Sequence, residues 1–144
     1  MKTKYTSLVS VKKNTMQKSE QALQNATKEL QNSENELLDS ILLLNTIETP
    51  TTGKISDFLS SRTLLDTQRN IINSNQQQII SQQEALQSAK EQLKLDMIEF
   101  EKYNYLEVEE IKNILNKRKI QEAKDLDEIA LMTYAKKRLN KEAS

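Results

Sequence analysis

The chain has 144 residues, 21 of them basic and 21 acidic, so it carries no net charge and is long enough for one domain at most. It has one Gly, one Pro, no Cys, no His and no Trp. So few turn formers punctuate very few elements, and disulfides and thiolate zinc sites are excluded. The commonest general base near neutral pH is missing too, and balanced charge with few aromatics argues against nucleic acid as a partner.

The opening Met1 to Lys13 holds a short apolar patch that Lys12 and Lys13 interrupt. It lacks the long apolar run and small-residue cleavage site of a signal peptide, so a cytoplasmic protein is expected. From there Val9, Met16, Leu23, Leu30, Leu37 and Leu44 recur at intervals of seven. A strict seven-residue repeat keeps an apolar seam on one side of a supercoiled helix. The repeat predicts a first helix over about 4–47. Three residues after each of these lie Lys12, Ser19, Ala26, Ser33, Ser40 and Ile47, mostly small or polar. Large side chains of one helix can therefore pack over small ones of the other, in a thin antiparallel interface.

Residues 48–54, with Pro50 and Gly53, form the predicted turn. Proline stops a helix, and Thr52 or Ser56 can cap the next one. The second helix is predicted over about 55–139. Its seam is Phe58, Leu65, Ile72, Ile79, Leu86, Leu93 and Phe100, again at intervals of seven. The second column is Ser61, Gln68, Asn75, Gln82, Ala89, Asp96 and Tyr103. A short turn folds the two helices back as an αα-hairpin. Setting large residues opposite one another pairs Leu44 with Phe58, Leu30 with Ile72 and Val9 with Leu93, to within a few residues. The first helix then ends opposite about residue 100, and 101–139 is left as an unpaired overhang. With the last residues included, it projects roughly 65 Å as a helix. The fold class is all-α: one coiled-coil domain over 1–144, a long two-helix antiparallel hairpin with an extended C-terminal helix. Such a seam is marginal alone, which suggests a partner.

Charge in the overhang comes in blocks. Glu107, Glu109 and Glu110 are followed by Lys117 to Lys119, then Asp125, Asp127 and Glu128, then Lys136 to Arg138. Alternating blocks suit a docking surface with charge register. Adjacent carboxylates on one helix diverge, and with no His they read as a solvated face rather than a metal site. Plentiful Ser and Thr have no activating base, and one Gly forms no phosphate loop. The expectation is no enzyme, no cofactor, no metal and no small-molecule substrate. Near the turn, Leu38, Leu42, Leu43, Ile55, Leu59 and Leu64 are surplus to a two-helix seam, which points to an apolar binding tip.

Two segments carry a resemblance to a known family. The opening Tyr5-Thr-Ser-Leu8-Val9-Ser-Val11-Lys12-Lys13 and the segment Lys124-Asp125-Leu126-Asp127-Glu128-Ile129-Ala130 are similar to the two ends of the flagellar export protein FliJ family. Size and hairpin plan match over essentially the whole chain. The resemblance implies a coiled coil like the central stalk of rotary ATPases. It implies as partners the hexameric flagellar export ATPase, the cytoplasmic domain of the export gate protein, and export chaperones. The membrane is reached only through that apparatus. The resemblance places ATPase contacts at Tyr5, Leu8, Lys12, Leu126, Asp127, Glu128 and Ile129. It places gate contacts near Leu37, Ile41, Leu44, Phe58 and Leu65. The chain departs from family members that carry Trp and more aromatics in the middle and tip. The alternatives are a virulence type III secretion stalk, a structural coiled-coil spacer, and a holdase chaperone.

Overall fold

A computed structural model describes residues 1–143. It contains two helices, α1 (Thr6–Thr46) and α2 (Ile55–Ala143), and no strand among the described residues. The all-α hairpin expected from the heptads is the fold found. The helices pack as two units, one formed by Lys13–Ile98 and the other by Met1–Lys12 together with the chain from Glu99 onward.

Local chemistry accounts for the helix ends. The Tyr5 N–H donates to Thr3 Oγ1 at 3.1 Å and the Thr6 N–H to the Thr3 carbonyl at 3.2 Å, so Thr3 caps α1. At the other end Thr46 Oγ1 donates to the Leu43 carbonyl at 2.7 Å, and Pro50 lies just beyond. The start of α2 differs from expectation, since neither Thr52 nor Ser56 caps it. The Asp57 carboxylate instead accepts from the Lys54 N–H at 3.4 Å, the reaching-back half of a capping box. Gly53 has φ 147°, and a Cβ there would come within 3.2 Å of that same Asp57 carboxylate. The only Gly in the chain thus stands where the turn enters a left-handed region and the helix cap passes close by.

Within the unit of Lys13–Ile98, coverage follows the heptads. Met16, Leu23, Leu30, Leu37 and Leu44 are half-buried, and the alternate column reaches full burial at Ser33 and Ser40, 3% and 7% exposed. On α2, Ile72 is buried and Leu65, Ile79, Leu86 and Leu93 are half-buried, as are Gln68, Asn75, Gln82, Ala89 and Asp96. Phe58 is the exception in the predicted seam, at 39% exposed.

The register is not the large-on-large one. Asn75 Nδ2 donates to Ser40 Oγ at 2.6 Å, and Gln68 Nε2 donates to the Ser40 carbonyl at 2.8 Å. Gln68 and Asn75 lie one turn either side of Ile72, so Ile72 faces Ser40 rather than Leu30. Ser19 bonds to Asp96, and Ser61 Oγ donates to the Glu48 carbonyl at 3.2 Å, in keeping with that offset. The helices are displaced by about ten residues, a heptad and a half, from the expected layering. The physical cause is shape. A large residue over a small one lets the helices approach closely, whereas paired large residues would hold them apart and leave the polar column unsatisfied.

In the other unit the same displacement lengthens the pairing. Lys12 Nζ lies 3.5 Å from the Glu99 carboxylate and 5.6 Å from the centroid of the Tyr103 ring. Thr6 Oγ1 donates to Glu107 Oε1 at 2.9 Å. Leu106, Ile111 and Ile114 are half-buried. The overhang expected from residue 101 therefore does not begin there. Every described residue from Leu115 onward is exposed.

Candidate functional site

Among the described residues the features that stand out are exposed apolar surfaces and shallow grooves. Among the described residues, no group of three or more acidic side chains is placed to hold a metal ion. No helix there is long and apolar enough to cross a membrane.

The first surface belongs to the unit of Met1–Lys12 and the chain from Glu99 onward. Tyr5 is half-buried, with Lys4 Nζ 5.3 Å from its ring centroid. Leu8 is at the border of exposure, and Lys12 is already engaged with Glu99 and Tyr103. Lys12 thus helps close the coil, a role its charge alone did not suggest. Leu126 and Ile129 are 66% and 58% exposed, and Asp127 and Glu128 are open to solvent. Ile120, Leu131, Met132, Tyr134 and Leu139 add further exposed apolar area. At about 100° per residue, Ile120 and Leu131 lie on the side of the helix opposite Ile129. Apolar side chains thus leave this helix end in several directions.

The second surface belongs to the unit of Lys13–Ile98. Leu37, Leu44 and Leu65 are half-buried in the seam, while Ile41 and Phe58 are 38% and 39% exposed. Most of the five predicted gate-contact side chains therefore help hold the coil together. The larger open area comes from the surplus residues. Leu38, Leu42 and Leu43 are each more than half exposed, and Asp39, Leu42, Leu43 and Thr46 line a shallow groove. On α2, Ile55, Leu59 and Leu64 are at least as open. Their heptad positions off the seam are the sequence signal that finds them.

Two helices with these ends and an apolar tip are a plan that many coiled coils share, so membership has to come from the sequence as a whole. The model of the flagellar FliJ protein family matches residues 1–139. The chain belongs to the flagellar FliJ family. It is therefore a component of the flagellar protein export apparatus, in a family of non-catalytic export proteins. No curated protein and no solved structure matches the chain at a significant level. Both terminal segments that carry the resemblance, around Tyr5 and around Leu126, fall inside the matched span.

Proposed function

We propose that the chain is a non-enzymatic central stalk and chaperone escort of the flagellar export apparatus, working in the cytoplasm and held at the inner membrane through that apparatus. The bare end of α2, with Leu126, Asp127, Glu128 and Ile129, enters the hexameric export ATPase together with Tyr5 and Leu8. The tip around Ile41 and Phe58 engages the cytoplasmic domain of the export gate protein, and export chaperones dock on the same protein in transit. The mechanism is binding. An asymmetric helix within a ring presents different side chains to successive subunits, which links ATP turnover to the gate.

The observation that supports this reading is the exposure of apolar side chains on several faces of the end of α2. A flat partner covers one stripe of a helix, whereas a ring surrounds it. Each apolar side chain so covered contributes on the order of 1.5–3 kcal/mol. Stimulation of the export ATPase tests the reading. Leu126→Ala with Ile129→Ala should abolish most of the stimulation while leaving helicity unchanged. Full stimulation by that double variant would remove this helix end from the ring and favour a spacer role. Suppression of client aggregation without any effect on the ATPase would favour a holdase.

A further inference from the structure

We propose that one face of the C-terminal half of α2 is self-complementary and pairs, antiparallel, with the same face of a second copy of this chain. The face is distinct from the one that meets α1. Over residues 103–107 the helix meets α1 through Tyr103, near Lys12, and Glu107, bonded to Thr6, with Leu106 half-buried between them. Tyr105, Val108 and Leu115, at 64%, 43% and 43% exposed, stand off that seam. With Lys112 between Val108 and Leu115, the series keeps the alternating three- and four-residue spacing of a coiled-coil stripe through Lys119, Glu122, Leu126, Ile129 and Thr133 to Lys136. Every member of the series is exposed.

The centre of this stripe carries the proposal, because from Leu115 to Leu126 its order of side chains matches its own reversal. In an antiparallel pair, layers join the two alternating positions of the stripe. With the two-fold axis between Ile120 and Gln121, Leu115 of one copy faces Leu126 of the other, and Lys119 faces Glu122. Beside the seam Arg118 faces Asp125, and Ile111 lies near Met132. Further out Lys112 lies opposite Ile129 with its alkyl stem along that side chain, Val108 meets Thr133, and Lys136 reaches the Tyr105 ring. Each such contact occurs twice, as two-fold symmetry requires. No two like charges meet across the stripe. Lys119 and Glu122, which interrupt the apolar run at its centre and weaken it as a site for a neutral partner, complement each other here. A shallow groove lined by Lys112, Leu115, Lys119 and Glu122 lies where the incoming Leu126 would settle.

The pairing covers Leu126 and Ile129, so it and ring docking exclude each other. The inference concerns the free chain and is measured without the ring, so its failure leaves the proposed stalk role standing. Two leucine layers around a charged centre support weak association, with a Kd on the order of 10 μM.

Sedimentation velocity of the full chain over a rising concentration series should show a reversible monomer–dimer equilibrium that weakens with salt. Lys119→Glu should raise the Kd about tenfold by setting Glu against Glu, and adding Glu122→Lys in the same chain should restore it. Both side chains are exposed, so circular dichroism should be unchanged. The chain has no native cysteine. A mixture of K119C and E122C should therefore form the mixed disulfide faster than either variant links to itself. A chain that stays monomeric at about 500 μM, well above that Kd, overturns the proposal. So does a loss in K119E that E122K does not repair. Faster linking of like cysteines overturns the antiparallel geometry.

Discussion

The stretch of α2 from Ser61 to Tyr103 and the stretch from Leu115 to Ala143 belong to one continuous helix with similar polar content, yet they behave in opposite ways. In the first, every seventh residue of each seam column is covered and, apart from Glu99, the residues between are open. In the second, no described residue is covered at all. Helix propensity does not separate them, since both are rich in good helix formers. What separates them is whether α1 runs alongside. Where it does, apolar side chains are satisfied within the chain. Where it does not, Leu126, Ile129 and their neighbours remain available to another protein.

Amide hydrogen exchange puts the widest gap on that comparison. The slowest amides of residues 65–93 should outlast those of residues 120–140 by ~100-fold or more, because the latter open without breaking any tertiary contact. Equal protection in a monomer would mean that the bare helix end finds cover this structure does not give it.

Next in size is the loss of a seam side chain. Ile72 is the most deeply covered apolar residue, at 9% exposed. Ile72→Ala should lower the unfolding free energy by about 2 kcal/mol, the low end for a buried isoleucine because a two-helix seam relaxes into the gap. Urea titration of the helical signal measures it.

A smaller effect, and a more specific one, is expected at the polar layer. Asn75→Ala removes the bond to Ser40 Oγ and should cost about 1 kcal/mol. Its second consequence sharpens the comparison. With Asn75 replaced by Leu, stability should change little while the register loosens, as when a single buried polar residue that specifies alignment is lost. Cysteines at Ser19 and Asp96, which meet in the native register, should then crosslink less completely.

The smallest effect on stability belongs to the bare end. Leu126→Ala and Ile129→Ala should each shift the unfolding free energy by no more than about 0.5 kcal/mol, as exposed substitutions do. The same pair is expected to have the largest effect on ATPase stimulation. A variant set in which stability and partner function fall together would erase the distinction between the two stretches.

Much of this was legible beforehand. As far as Tyr103 the seven-residue repeats named nearly every covered residue on both helices, including the unobvious Ser33, Ser40 and Ser61, because a heptad period leaves only one face to bury; beyond it they missed Leu106, Ile111 and Ile114. Pro50 and Gly53 located the turn, and the off-seam leucines located the apolar tip. The two ends of the family resemblance fell within the span that the family model matches. Of the residues assigned to the gate, Leu37, Leu44 and Leu65 carry heptad positions and lie half-buried in the seam, while Ile41 and Phe58 are exposed.

The sequence by itself determined the periodicity, the helix limits to within a few residues, and which side chains belong to the seam between Ser61 and Tyr103. These depend on local spacing and on where a backbone cannot continue as a helix. Only the tertiary structure decided the alignment of one helix against the other. A repeat of seven looks the same after a slip, so the apolar column alone permits several registers. Close approach of large side chains over Ser33 and Ser40, with the bonds from Gln68 and Asn75 to Ser40, selects one. That choice carries α1 as far as Glu107, and so sets how much of α2 is left bare.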